Sequence, residues 1–141
     1  MASGAEHDLH GLMIASGILC LVTVLIGGGH LPLNTLALPF GVAFGTLCLS
    51  PDMDMANTRP YRRWLFLRHL WGPYAAMFSH RGLSHSLLVG PATRLIYLAL
   101  LVSPVAWYLG YTPDSGLLFF SCGVFLANAI HLWGDGILWK G

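Results

Sequence analysis

Long apolar stretches alternate with short polar breaks along this chain. Four such stretches stand out, at residues 11–29, 31–49, 87–110 and 116–130. A helix that crosses a bilayer needs about 20 residues of this kind, with a range of about 17 to 25. The first three stretches meet that length, and the fourth meets it if the helix continues through His131 and Trp133. The pattern predicts an all-α integral membrane protein with four transmembrane helices.

The breaks between the stretches have the residues that end helices. Three glycines at 27–29 and Pro32 separate the first two stretches, and Pro51 ends the second. A turn at 113–116, Pro-Asp-Ser-Gly, precedes the fourth. The length of 141 residues predicts a single domain over residues 1–141. The breaks leave consecutive helices antiparallel, so we expect an up-down-up-down four-helix bundle.

The segment between the second and third stretches, residues 50–84, differs from the rest of the chain. It holds five of the seven basic residues, which are Arg59, Arg62, Arg63, Arg68 and Arg81. It also holds two tyrosines and two tryptophans, Tyr61, Trp64, Trp71 and Tyr74. Arginine mixed with aromatics predicts an amphipathic segment at the lipid headgroups, and an ordinary basic cytoplasmic loop is a compatible interpretation.

Positive loops stay in the cytoplasm, which predicts that segment 50–84 and both chain termini are cytoplasmic. Arg94 is an exception, because it lies several residues inside the third stretch. Its side chain is expected to snorkel to the interface, or the helix to project into the cytosol for its first turns.

Composition supports a membrane protein and excludes some functions. The chain is 55% hydrophobic and 9% charged, whereas soluble domains have roughly 25% charged residues. The net charge of +1 gives no broad basic field for nucleic acid. The three cysteines lie in apolar runs without a C-x-x-C pair, which disfavours a thiolate metal site. The first ten residues lack Lys and Arg, so no cleavable signal peptide is expected.

Histidine and aspartate residues collect at the helix ends that this topology places in the cytoplasm. Four segments bring them there, one before the first helix, one after the second, one before the third and one at the end of the fourth. The candidate metal ligands are His7, Asp52, Asp54, His80, His85, His131 and Asp135. An up-down-up-down bundle brings these four ends together, so the sequence predicts a metal site on the cytoplasmic face.

The spacings suit metal ligation. His131 and Asp135 are four residues apart and share a helical face. Asp52 and Asp54 are two apart after a proline, so in an extended segment both carboxylates point the same way. Imidazole with carboxylate favours Zn²⁺, with Mn²⁺ or Fe²⁺ as alternatives, and the number of candidates allows one ion or two.

The remaining histidines are weaker candidates. His10 follows His7 by three residues and could reach the site from the next face of the helix. His69 lies among Arg68, Leu70 and Trp71 and is expected at the interface, and His30 falls on the far side of the membrane.

With these motifs assembled, the chain resembles a family of small bacterial and archaeal membrane proteins described as metal-binding proteins or membrane-bound metal-dependent hydrolases. The resemblance covers nearly the whole chain. It rests on Ser-Gly-x-x-His7-Asp8, Ser-Pro-Asp52-x-Asp54, Arg62-Arg63-Trp64, Trp71-x-Pro-Tyr74, His80-Arg-Gly-x-Ser-His85-Ser and His131-x-x-x-Asp135. The resemblance implies a location in the inner membrane of a bacterium or archaeon and a hydrolase activity.

Two functions follow from these observations. The first is a metal-dependent hydrolase that acts on a phosphoester or lipid-derived substrate at the membrane, with Asp54 as a general base and Arg81 binding an anionic oxygen. The second is a non-enzymatic accessory or scaffold subunit with a structural metal, in an oligomer or with a partner subunit. Membrane lipids are the expected partners in both. A transporter is disfavoured, because ionisable residues are missing from the predicted span centres.

Overall fold

A computed structural model describes residues 4–25, 33–55, 58–78 and 83–136, and this part of the chain is helical. It contains six α-helices, which are α1 (Gly4–Leu25), α2 (Leu33–Cys48), α3 (Arg59–Arg63), α4 (Gly72–Met77), α5 (Val89–Tyr108) and α6 (Ser115–Gly134). Three short 3₁₀ turns accompany them, at Pro51–Asp54, Leu65–Trp71 and Leu83–His85.

Each of the four apolar stretches contains one long helix. α1 begins at Gly4, ahead of the apolar stretch. α6 continues through His131 and Trp133 to Gly134, and this extension gives the fourth stretch the length of a membrane span. α1, α5 and α6 are long and apolar enough to cross a membrane, whereas α2, with 16 residues, is shorter. The all-α prediction is therefore confirmed, and three of the four helices have the length and composition of membrane spans.

α2 and α6 form the closest helix pair, and small residues allow the approach. Methyl groups added at Gly41 and Gly123 would each collide with backbone of the other helix, at Phe120 and Leu38 respectively. One turn along, Gly45 faces Ala127. Glycine and alanine at four-residue spacing let two helix backbones approach closely, a common device in membrane proteins.

The contacts also give the helix directions. Asn34 donates a hydrogen bond to Ser115 at the start of both helices, and Ser50 contacts His131 at their ends. α2 and α6 therefore run in the same direction. α1 packs along α2 in the opposite direction, since Gly11 near its start meets Thr46 near the end of α2.

The segment that links α2 to α5 folds back onto the helix ends. Trp71 and Tyr74 are 0% and 1% exposed, and the Trp71 ring lies 5.1 Å from that of Trp64 and 5.2 Å from that of Tyr97. Trp71 and Tyr74 face inward, because they fill a core between the turns and α5. The outward side chains of this segment include Leu65, Phe66 and Arg68.

Of the two expectations for Arg94, a side chain that snorkels to the interface is wrong. Its side chain is 0% exposed, so it does not snorkel to an interface, and its guanidinium donates to Gly90, Leu49 and Asn128. The cation is held inside the protein by neutral oxygen acceptors, which is how a buried charge is tolerated.

Two glycine substitutions test the close packing of α2 on α6. We expect Gly41→Ala to lower the free energy of unfolding by about 1–3 kcal/mol, because the new methyl group meets rigid backbone at Phe120. Gly17→Ala is the matched control, since no atom lies within 4 Å of a methyl group there. Thermal unfolding in detergent measures both, and equal effects would contradict the proposed contact.

Candidate metal centre

Three segments meet where α2 and α6 end and α5 begins. Pro51, which cannot continue α2, starts the turn that carries Asp52 and Asp54. The turn before α5 ends at His85, and the last turn of α6 carries His131. Since α2 and α6 run in the same direction and α5 starts beside their ends, three segments that are distant in sequence become neighbours.

The centre of this meeting point is formed by Asp52, His85 and His131. One ligand atom from each lies within 4.8 Å of the other two. The Nε2 atom of His85 is 3.7 Å from Asp52 Oδ1, and the Nε2 atom of His131 is 3.8 Å from the same oxygen. Both imidazoles therefore direct the same ring nitrogen towards one carboxylate.

The opposite nitrogen of each imidazole faces a buried serine. His131 Nδ1 lies 3.4 Å from Ser50 Oγ, and His85 Nδ1 lies 3.2 Å from Ser84 Oγ. Ser50 and Ser84 are 4% and 0% exposed. Each histidine is thus held between a hydroxyl at Nδ1 and Asp52 at Nε2.

A short hydrogen-bond chain fixes the tautomer of His85. The Ser84 hydroxyl donates to Asp54 Oδ2 at 2.6 Å, so its oxygen accepts from the N–H at His85 Nδ1. The proton at Nδ1 leaves the lone pair at Nε2, on the side of Asp52. Such an arrangement, in which the far ring nitrogen is held by a second residue, is usual for histidines that bind metals.

The remaining two aspartates lie on different sides of the two histidines. Asp54 is fully buried behind His85, with its Oδ2 atom 3.8 Å from His85 Nδ1. Asp135, the C-cap of α6, has its Oδ2 atom 3.4 Å from His131 Nε2, on the side that faces Asp52. Asp52 is 27% exposed while both histidines are below 10%, so the centre opens to its surroundings at Asp52.

The start of α1 is tied to α3 by an ion pair. Asp8 accepts two hydrogen bonds from Arg63, at 2.6 and 3.2 Å, and the contact raises the pKa of Arg63. Arg63 also donates to the carbonyl of Leu47, and Trp64 to that of Cys48, so these two residues cap the end of α2. The Arg62-Arg63-Trp64 motif therefore closes a helix end with two of its three members.

Several candidates from the sequence do not enter this geometry. His80 and Arg81 lie outside the described residues, as does His30, and for His7 only the backbone in α1 is described. His10 and His69 are exposed. Of the seven predicted ligands, the structure brings five near one point, namely Asp52, Asp54, His85, His131 and Asp135.

Sequence reasoning missed the two serines that face the imidazoles. Neither Ser50 nor Ser84 was among the candidate site residues. A usable signal was present, because each serine lies in a motif with a ligand, Ser50-Pro-Asp52 and Ser84-His85.

The donor set fits a divalent transition metal. In a tetrahedral zinc site, with ligands at about 2.0–2.1 Å from the metal, the ligand atoms lie roughly 3.3 Å from one another. The distances between the ligand atoms of Asp52, His85 and His131 would therefore have to shorten by a fraction of an ångström to about 1.5 Å. Two imidazoles and a carboxylate with an open position are used by catalytic zinc sites and by non-haem iron sites. The geometry is thus suited to metal binding without specifying the metal.

Comparison with known proteins finds one relative over part of the chain. An uncharacterized protein of Aquifex aeolicus (strain VF5) is 41% identical over 63 residues, which are 43% of this chain and 45% of that protein. This chain therefore spans less than half the length of that relative. No solved structure matches the chain.

A family model, described as "Uncharacterized metal-binding protein (DUF2227)", matches residues 2–115. The match includes Asp52 and His85 and ends at the start of α6, before His131. The description gives metal binding as the shared property, with no mention of hydrolysis. Because the match covers most of its residues, this chain belongs to the DUF2227 family of uncharacterized metal-binding proteins.

Proposed function

We propose that this protein is a membrane-embedded hydrolase that binds a divalent metal, Zn²⁺ by preference, through Asp52, His85 and His131. The observation that carries the proposal is the convergence of two Nε2 atoms on Asp52 Oδ1 at 3.7 and 3.8 Å. The substrate is a phosphoester or a lipid-derived ester at the cytoplasmic face of the membrane.

Membrane insertion is supported by the outward surfaces of the long helices. In the candidate spans of α1, α5 and α6, only 11%, 17% and 33% of residues are buried inside the protein. Their outward side chains are apolar, such as Val24, Leu100 and Leu118. Lipid is the environment that suits such surfaces, and we infer a four-helix bundle in which the shorter α2 is enclosed by α1 and α6.

The orientation follows from the basic segment before α5. Positive residues near membrane spans stay in the cytoplasm, which supports a cytoplasmic position for the metal centre. Leu65 and Phe66 are 69% and 79% exposed and are flanked by Arg62 and Arg68. We assign this segment to the lipid headgroups, with the apolar side chains below them and the arginines near anionic lipids.

The chemistry requires a proton acceptor beside the metal. A bound divalent ion polarises an ester oxygen and acidifies water. Asp135 is our candidate acceptor, because its carboxylate lies on the Nε2 side of His131 without belonging to the three-ligand group. Asp54 faces the Nδ1 side of His85, so we assign it to orienting that ring rather than to proton transfer.

The alternative is a non-enzymatic membrane subunit with a structural metal. The observation that favours it is that the ligands come from three separate segments, so an ion would hold the ends of α2 and α6 to the start of α5. Metal content and turnover together separate the two functions.

Metal analysis of purified protein tests the ligand assignment. We expect one equivalent of Zn²⁺, Mn²⁺ or Fe²⁺ in the unmodified protein, and loss of most of it in Asp52→Ala, His85→Ala and His131→Ala. His10→Ala and His69→Ala are matched controls, since both side chains are exposed, and they should retain the metal. Full metal content in the three ligand variants would refute the site.

A second test concerns the hydrogen-bond chain behind His85. Ser84→Ala removes the hydroxyl that accepts from Nδ1, and we expect zinc affinity to fall by about 10- to 100-fold. Ser103→Ala, which removes an exposed hydroxyl on α5, should leave the affinity unchanged. Equal affinities for both variants, measured by competition with a chromophoric chelator, would contradict the role of Ser84.

Turnover distinguishes the enzyme from the structural alternative. We expect the metal-loaded protein to hydrolyse a p-nitrophenyl phosphodiester or a phospholipid in mixed micelles. Asp135→Asn should retain the metal but lower kcat by about 10²- to 10⁴-fold, the usual contribution of a general base. A metal-loaded protein with no turnover above the His131→Ala background would support the structural alternative.

A further inference from the structure

Two polar side chains lie deep between the apolar helices. Arg94 on α5 is 0% exposed, and Asn128 on α6 is 2% exposed. Arg94 Nη2 donates to Asn128 Oδ1 at 2.5 Å, which joins the two helices. The mechanism proposed above uses neither residue.

The contacts of Arg94 reach the end of α2. Its Nε atom donates to the Gly90 carbonyl one turn earlier in its own helix, at 2.9 Å, which fixes the direction of the side chain. Its Nη1 atom donates to the carbonyl of Leu49. Leu49 precedes Asp52 by three residues, so the guanidinium holds the backbone from which the Asp52 turn starts.

The contacts of Asn128 reach the segment of His85. Its Nδ2 atom donates to the carbonyls of Ser86 and Leu87, at 3.2 and 3.3 Å, directly after His85. Asn128 itself precedes His131 by three residues, about one turn of α6. Asn128 therefore links the turn of α6 that leads to His131 with the backbone that follows His85.

The geometry points to Arg94 and Asn128 as a positioning pair that sets the separations of Asp52, His85 and His131 before the metal binds. Each ligand lies within three residues of a backbone or side-chain atom that the pair contacts. This inference rests on the proposed metal site. The pair acts through the three segments and does not contact the ion.

The chemistry of the two side chains explains why they suit this task. A guanidinium is planar and presents donors in fixed directions, so it can hold three acceptors at set angles, whereas a lysine ammonium on a flexible chain cannot. Hydrogen bonds that are shielded from water are costly to leave unmade, so each arrangement that breaks one is disfavoured. Gly90 contributes, because a methyl group there would collide with the Ser84 carbonyl and meet Arg94 Nη2 at 3.1 Å.

The test uses the full-length protein in detergent, with Zn²⁺ and Co²⁺ as the probes. For Arg94→Lys we expect zinc affinity to fall by about 10- to 100-fold, the range found when residues behind metal ligands are changed. We also expect an altered visible absorption of bound Co²⁺, which reports coordination geometry. The stoichiometry at saturating metal should stay that of the unmodified protein.

Asn34→Ala is the matched control. Asn34 joins α2 to α6 by an amide hydrogen bond to Ser115 at 2.8 Å, at the end of the helices far from the metal centre. The variant should lower thermal stability without changing zinc affinity or the Co²⁺ spectrum. A purely structural role for Arg94 would produce this same pattern in Arg94→Lys.

Asn128→Asp covers the case in which Arg94→Lys does not fold. The new carboxylate still accepts from Arg94 but gives up the donors to Ser86 and Leu87, so His85 alone loses its support. We again expect weaker binding and a changed Co²⁺ spectrum. Unchanged affinity and spectrum in the folded variants would overturn the positioning role while leaving the metal site intact, whereas failure of the unmodified protein to bind metal would overturn the metal site as well.

Discussion

The guanidinium of Arg94 is fully buried, and a charge in that environment is stable only with good acceptors around it. The acceptors are supplied by the start of α5, the end of α2 and Asn128 of α6. Satisfying this one group therefore requires three helices to take one relative arrangement. The candidate metal centre lies beside that arrangement and depends on it, because its ligands follow or precede the same backbone positions.

Along the rest of α2 and α6, the contacts are made mainly by small residues and not by a buried charge. Gly41 and Gly123 bring the two backbones together, but such contacts between small residues allow sliding along the helix axes more readily than directional hydrogen bonds do. The Ser115 contact of Asn34 at one end and the Arg94 network at the other fix the register. Apolar helices of this kind therefore keep a few polar residues, because directional hydrogen bonds set the register that small-residue packing alone does not.

The apolar runs predicted the long helices, and the short connections predicted that helix ends carrying His and Asp would meet. Burial of individual polar residues was not predictable in this way. One of the two expectations for Arg94 was that it reaches the interface, and Trp71 belongs to a segment expected at the headgroups. Both side chains are enclosed, because their tertiary partners on α2, α6 and the turns cannot be identified from the sequence. Asp54 resembled Asp52 in sequence, and only the contact with Ser84 separates their roles.

The three ligands are far apart along the chain, on the turn after α2, the turn before α5 and the last turn of α6. No fragment that ends before α6 can present all three, so α6 must be synthesised before the three-ligand group can form. The turns that carry Asp52 and His85 are made earlier and have to wait for their third member. Assembly of the group therefore requires α6 to be in place beside α2.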